Sequence, residues 1–209
     1  MLARLAAVLT CDSALAQGQV GAQQAAPAVA AEGRHIAPGL TNLADVPVWK
    51  RITLGAYNSV NPLRHALDAA RVRVGESADE ILGRPAFHFN PEKSDVDLVV
   101  VSVAELGFHN GAPLADIHRR AGELGLKLCP VEVAPLLRLA YTNQPRGEFL
   151  NVAMRPIATY AGELVALSIA NAGTGPLLIG GDGRPELVMN RMAKFVFVRP
   201  ARIASPNLR

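Results

Sequence analysis

The segment from Ser94 to Ser102 constrains this chain more than any other stretch, because its letters SDVDLVVVS are typical of a buried strand. Asp95 and Asp97 open the strand two residues apart, and side chains alternate between the two faces of a strand. Both carboxylates therefore point the same way, where a divalent cation such as Mg²⁺ can bind. The alternative is a polar strand entrance in which Lys93 or a nearby arginine balances the two acids.

The composition is that of a globular protein with one core. The chain has 209 residues, half of them apolar and 19% charged, which is enough for one domain with a tail. No run approaches the ~20 apolar residues of a membrane span. With only Cys11 and Cys129, the chain has no disulfide framework and fits a reducing compartment. We expect a cytoplasmic protein; export is the alternative, because Arg4 and the apolar run 5–9 resemble a short signal peptide.

Three regions differ in composition. The first 34 residues contain eleven alanines and no aromatic residue, whereas all ten aromatic residues lie between Trp49 and Phe197. Because a core needs large side chains, we predict a flexible Ala/Gln/Gly-rich extension over 1–46 and a globular domain over 47–200. A basic tail over 201–209 completes the chain.

Helical patterns are concentrated in the first half of the domain. Ser59 or Asn61 caps a predicted helix that runs to residue 71, and the capping box Ser77-x-x-Glu80 predicts a second helix over 77–82. A third helix begins near Pro113 and ends at residue 125, with His118 on its solvent side.

Strand patterns dominate the second half. Besides the central strand, alternating or apolar runs predict strands at 52–54, 126–129, 136–141, 149–154, 164–170, 177–179 and 194–198. The glycines of 180–183 predict a hairpin turn before the last strand. These patterns together predict an α+β fold: a single domain with a mixed, mostly antiparallel sheet and two or three helices packed on one face.

Residues 94–101 resemble the metal-binding strand of the nucleotidyltransferase superfamily, in which two aspartates on one face hold Mg²⁺. The resemblance implies Mg²⁺-dependent nucleotidyl- or phosphoryl-transfer, with Asp95 and Asp97 as the metal ligands. It also implies a third carboxylate on a later strand, for which Glu148 and Glu163 are available.

The chain departs from that family upstream of the strand. Gly83 stands where the family has the glycine of a Gly-Ser turn, but Arg84 replaces the phosphate-contacting serine. His88 occupies the position of the family's second glycine. Both departures fall in the part of the family's motif that contacts the nucleotide phosphates.

A second resemblance covers most of the domain. Residues 128–141, 144–150 and 153–157, with Trp49-Lys50 and 195–200, are similar to a family of small bacterial proteins of unassigned function. This implies a self-standing domain over about 47–200 and no particular activity. Charged residues interleave with apolar ones here, and they are candidates for a recognition surface: Glu132, Arg138, Arg146, Glu148 and Arg155. The alternative is internal ion pairing that stabilises a hairpin.

Positive charge is concentrated at the end of the chain. From residue 184 onward six basic residues face one acid, Glu186; the basic residues are Arg184, Arg191, Lys194, Arg199, Arg202 and Arg209. Such a cluster can bind phosphate groups, although few aromatic residues are available to stack on bases. A nucleic-acid accessory protein is therefore one alternative.

No nucleophile–base pair, metal-ligand spacing or cofactor loop can be assembled from the remaining residues. The histidines lack the spacing of metal ligands, and Cys129 is expected to be a small buried side chain. We therefore expect a non-enzymatic binding or protein-interaction domain without a cofactor, whose protein partner is unknown. The Mg²⁺-dependent enzyme and the nucleic-acid protein are the alternatives, and the oligomeric state stays open.

Overall fold

The central strand of the sequence analysis is present as β3 (Ser94–Ser102), between two antiparallel neighbours, β1 (Lys50–Leu54) and β10 (Lys194–Arg199). The structure, a computed structural model, describes residues 40–42 and 46–201. The predicted extension and basic tail lie almost entirely outside these residues. Both therefore stay predictions.

The described residues contain seven further strands and four helices. The strands are β2 (Arg73–Val74), β4 (Ala112–Pro113), β5 (Phe149–Val152), β6 (Ile157–Ala158), β7 (Leu164–Ala172), β8 (Gly175–Asp182) and β9 (Val188–Met189). The helices are α1 (Val60–Ala69), α2 (Glu76–Leu82), α3 (Leu114–Glu123) and α4 (Val133–Ala140).

Eight strands form one sheet in the order β1-β3-β10-β5-β7-β8-β2, with β6 paired to β7. The pairs β10–β5 and β8–β2 are parallel, and the others are antiparallel. The strands β4 and β9 pair separately. The predicted α+β class with a mixed, mostly antiparallel sheet is confirmed.

Three helices cover one face of the sheet, which we call the three-helix face. Buried residues of α1, α2 and α4 share one core cluster with alternate strand residues such as Leu98, Leu167 and Val196. Leu63, Ile81 and Leu137 are among the helical members. Because successive side chains of a strand point to opposite faces, the remaining side chains of each strand point to the second face of the sheet.

The second face, which we call the α3 face, is covered by the remaining helix. Along β10, Phe195 and Phe197 belong to this second cluster, whereas Val196 and Val198 belong to the first. Ile117 of α3 packs here. The predicted inward side of this helix is confirmed, since its apolar residues Leu114, Ile117, Ala121 and Leu124 are all buried.

The predicted strand at 136–141 is wrong, because these residues belong mainly to α4. Residues 133–138 of this helix are all buried, including Arg138. A short apolar run interrupted only by Arg138 fits a buried strand as well as a buried helix, so the local pattern does not distinguish the two. The predicted strand at 126–129 is reduced to two isolated bridges, Lys127 with Val198 and Cys129 with Met154.

The predicted turn at 180–183 is also wrong, since β8 continues through Asp182. The hairpin between β7 and β8 turns earlier, between Ala172 and Gly175. A Cβ atom on Gly180 would lie 2.6 Å from Ser77 Oγ and 2.7 Å from a Val165 methyl carbon. This glycine therefore permits close packing of α2 on the strand.

The capping box at Ser77 and Glu80 does not form. Helix α2 begins at Glu76 with Gly75 as its N-cap, and Ser77 Oγ donates instead to the carbonyl oxygen of Gly180 at 3.3 Å. The predicted end of α2 at Gly83 is confirmed. The Ser77 hydroxyl, which the local pattern assigned to the helix cap, thus binds the backbone of β8 instead.

Candidate functional site

The α3 face is only partly covered, and a pocket of about 570 Å³ lies where the cover ends. Its floor comes from β5, β7, β8 and β10, and one wall comes from α3. The opposite wall is the segment 183–193 between β8 and β10, which we call the strap. Most side chains in the lining are apolar; they are Leu114, Phe149, Val152, Ala166, Leu167, Leu187, Met189, Met192, Ala193 and Phe195.

The strap is held to α3 and to the sheet by backbone hydrogen bonds. The carbonyl oxygens of Leu187 and Pro185 accept the first helical N–H groups of α3, those of Leu114 and Ala115, at 2.9 Å each. Gly111 has φ +85°, and a Cβ there would lie 2.4 Å from the Met189 oxygen. This glycine therefore allows the strap to approach the turn before β4.

Two polar side chains lie on the pocket floor. Ser168 Oγ is 3.3 Å from Asn151 Oδ1, and Asn151 Nδ2 donates to the carbonyl oxygen of Lys194 at 3.1 Å. That carbonyl can only accept, so the amide nitrogen must face it and the serine must donate to the amide oxygen. The pair is consequently oriented by the backbone of the neighbouring strand.

The ring of His118 also lines the pocket, which corrects its predicted position on the solvent side of α3. It stands four residues after Leu114 and three before Ala121, and this spacing places all three on one helical face. Its ring meets Phe195 and Phe197 edge to face, and Nε2 is buried without a hydrogen-bond partner among the described residues. Burial lowers the pKa of His118 to about 4, so the imidazole is neutral at pH 7.

The charged groups at the pocket are paired. Lys194 Nζ lies 3.8 Å from Glu148 Oε1, and the Tyr141 hydroxyl donates to Glu148 Oε2 at 3.0 Å. Arg184 binds both oxygens of Asp182, with a closest distance of 2.8 Å. The hydrogen bond from Arg184 lowers the pKa of Asp182. Glu148 and Asp182, the two carboxylates of the pocket lining, therefore each have a positively charged partner in this chain.

Asp95 and Asp97 lie on the same side of β3, as the alternation predicts, but side chains of β1 bind both. Arg51 donates to both oxygens of Asp97, at 2.6 and 3.0 Å, and this hydrogen bonding lowers the pKa of the carboxyl. Thr53 Oγ1 donates to Asp95 Oδ1 at 2.6 Å. The balancing cation is thus Arg51 and not Lys93.

This donor set does not fit the metal site that the nucleotidyltransferase resemblance implies. A cation at Asp97 would have to compete with a bidentate guanidinium, which is one of the strongest partners of a carboxylate. Within residues 40–42 and 46–201, no group of three or more histidine, cysteine or acidic residues is placed to hold a metal ion. The Mg²⁺ hypothesis stays a prediction.

The five charged candidates from the second resemblance do not form one exposed surface. Glu132 is 1% exposed, and its two oxygens accept the backbone N–H groups of Asn90 and Gly55 at 2.9 and 3.1 Å. Arg138 is 2% exposed and donates to Gln144, to the Tyr141 carbonyl and, at 3.2 Å, to the Ala170 carbonyl. Burial lowers the pKa of Arg138.

The remaining three candidates lie at the surface or at the pocket. Arg146 and Arg155 are exposed, and Glu148 is half-buried in the pocket lining. Among the described residues, no ion pair joins any two of the five, so the predicted internal ion pairing is wrong. Glu132 and Arg138 instead stabilise the fold by binding backbone groups.

Cys129 is buried, and its thiol lies 3.4 Å from the Val196 carbonyl oxygen. Burial raises the pKa of the thiol, so it is protonated and unreactive at neutral pH. Of the basic residues near the end of the chain, Arg184 and Lys194 pair with acids and Arg199 donates to the Val46 carbonyl. Arg202 and Arg209 lie outside the described residues.

The sequence analysis missed the pocket. A signal was present in two of its residues, since Asn151 and Ser168 interrupt otherwise apolar strands on the side opposite the core of the three-helix face. Their direct pairing across β5 and β7 depends on the register of the strands, which local patterns do not specify.

Comparison with protein-family models, curated proteins and solved structures gives no match for this chain. Both resemblances of the sequence analysis therefore stay predictions. In the part of the chain that the structure describes, each helix is too short or too polar to cross a membrane.

Proposed function

We propose that this chain is a non-enzymatic binding domain whose ligand occupies the pocket on the α3 face. The observation that carries the proposal is the pocket itself, about 570 Å³ in volume, with an apolar lining and an oriented Asn151–Ser168 pair on its floor. Small-molecule sites have volumes of roughly 300 to 1,000 Å³ and combine many apolar groups with a few placed polar ones.

The pocket supports binding better than it supports chemistry. The Ser168 hydroxyl is hydrogen-bonded to an amide oxygen, which is not a base that could activate it. His118 lies with its Nε2 buried against phenylalanine rings. Binding needs neither group to react.

The other two hypotheses find less support in the geometry. A Mg²⁺ site at Asp95 and Asp97 would have to displace Arg51 from its carboxylate. A nucleic-acid surface would use Arg184 and Lys194, which already pair with Asp182 and Glu148. We therefore place the function at the pocket.

A pocket-filling substitution tests the proposal. The neutral fluorescent probe N-phenyl-1-naphthylamine should bind the wild type, and Gly181→Leu should weaken this binding by more than about tenfold. Gly181 lines the pocket, and a Cβ there meets nothing closer than the Ala166 oxygen at 4.0 Å, so the backbone has room for a side chain at this position.

The matched control is Gly122→Leu, which adds the same side chain on the exposed side of α3, where a Cβ has no neighbour within 4 Å. This variant should bind the probe as the wild type does. Equal binding by wild type and Gly181→Leu, measured by fluorescence titration, would refute the pocket as the binding site.

A further inference from the structure

The hydrogen-bonding capacity left on the pocket floor is small and uncharged. Asn151 Nδ2 uses one of its two N–H groups on the Lys194 carbonyl, and Oδ1 accepts from Ser168. Within the described residues this leaves one amide N–H as a donor, and the serine and amide oxygens as acceptors. A carbonyl or hydroxyl group of a ligand matches these atoms.

Among the described residues that line the pocket, a charged ligand group would find no unpaired counter-charge. Glu148 and Asp182 already have Lys194 and Arg184 as partners. His118 is neutral at pH 7. Moving an ionised group from water into apolar surroundings without a partner is costly, so the lining disfavours both carboxylates and amines.

The N-terminus of α3 does not change this conclusion, although it borders the pocket. Helix N-termini attract anions through their free N–H groups. Here the N–H groups of Leu114 and Ala115 donate to the strap, to Leu187 and Pro185. Those two groups are therefore unavailable to an anionic ligand.

We infer that the ligand is an uncharged, mainly apolar small molecule that carries one carbonyl or hydroxyl group. Its apolar body lies between Phe149, Phe195 and the strap methionines Met189 and Met192, and its polar group meets Asn151 and Ser168. This inference rests on the proposed binding function and adds the chemical class of the ligand.

Four naphthalenes of similar size test the class by displacing N-phenyl-1-naphthylamine from the wild type at pH 7. They are 2-acetylnaphthalene, 2-ethylnaphthalene, 2-naphthoate and 1-(2-naphthyl)ethylamine, which differ in the polar group alone. The ketone should compete best, with an advantage of about tenfold over the hydrocarbon, because it accepts the free amide N–H. The two charged compounds should displace the probe less well than the hydrocarbon does, because their charge must be desolvated on binding.

Asn151→Val removes the donor while keeping a residue that suits a strand. In this variant the ketone should lose its advantage over the hydrocarbon, when both are compared as competitors on the same variant. If Asn151→Val does not fold, Asn151→Leu provides a second test, because leucine is close to asparagine in shape and also lacks the amide N–H. The ketone should again lose its advantage over the hydrocarbon.

The outcomes separate the two proposals. If the probe fails to bind, or binds Gly181→Leu as well as the wild type, the binding function at this pocket is refuted and the inference with it. If the probe binds at the pocket but 2-naphthoate or the amine competes as well as the ketone, the ligand class alone is refuted.

Discussion

The two faces of the sheet are built from the same strands but are covered to different extents. On the three-helix face, α1, α2 and α4 bury alternate strand residues and leave a continuous core. On the α3 face, one helix and the strap cover the β3–β10 side, and the floor beyond them lines a pocket. The first face therefore carries the larger core cluster, and the second carries the pocket in which we propose that a ligand binds.

The polar residues of the two faces differ in the same way. Glu132 and Arg138 are buried with the three helices, and each binds several backbone groups. Asn151 and Ser168 have only one or two bonds each and retain capacity toward the pocket. Glu132 and Arg138 tie distant backbone segments together, although Arg138 Nε has no hydrogen-bond partner among the described residues. Partly bonded side chains beside a cavity can instead recognise a ligand.

The largest effect should come from truncating the core of the three-helix face. Leu137 of α4 is completely buried, so Leu137→Ala should lower the free energy of unfolding by about 2 to 5 kcal/mol. Met192→Ala, in the exposed strap, should change it by less than about 0.5 kcal/mol. Urea unfolding measures the free energy of unfolding of both variants. Equal losses would contradict the conclusion that the two faces are covered to different extents.

A smaller effect is expected from acid, through His118 on the α3 face. Its pKa is about 4 in the folded protein and 6.5 in the unfolded chain, so the unfolded state binds more protons between these values. Stability should therefore be complete above pH 6.5 and fall by about 1 to 3 kcal/mol as the pH drops to 4.

His118→Phe retains an aromatic ring beside Phe195 and Phe197 and removes the titration. The variant should lose less stability than the wild type between pH 6.5 and 4, as measured by urea unfolding at each pH. Identical pH profiles would show that the histidine is accessible to protons in the folded state.

The smallest effect is expected at the Arg51–Asp97 pair, which lies at the surface near the edge of the sheet. Exposed ion pairs contribute little to stability, so Asp97→Asn should shift the melting temperature only slightly. Millimolar Mg²⁺ or Mn²⁺ should leave the wild-type melting temperature unchanged. A rise that Asp97→Asn abolishes would support the metal-dependent enzyme instead.

Local patterns were sufficient where an element has one buried side. The apolar spacing of α1 and α3 is visible in single segments, so these helices were predicted. The strands β3 and β10 are buried on both faces, and their short apolar runs were recognised as strands. The end of α2 at Gly83 followed from residue chemistry alone. Helix α1 begins directly after Ser59, but the Ser59 side chain makes no capping hydrogen bond, so the predicted cap is not formed.

Local patterns failed where packing from a distant element decided the outcome. α4 resembles a strand because it is short and most of its residues are apolar and buried. Gly180 resembles a turn residue, yet it permits the approach of Ser77, a residue more than a hundred positions earlier. Asp97 has the spacing of a metal ligand, yet Arg51 on the neighbouring strand binds it.

What the sequence determined by itself was the α+β class, the central strand and the inward side of α3, because each depends on the order of apolar and polar residues within one segment. Only the tertiary structure decided which residues meet on the α3 face. Asn151, Ser168 and His118 come from three separate elements, and strand register together with helix packing brings them to one pocket. Such contacts depend on long-range geometry, which a local pattern does not encode.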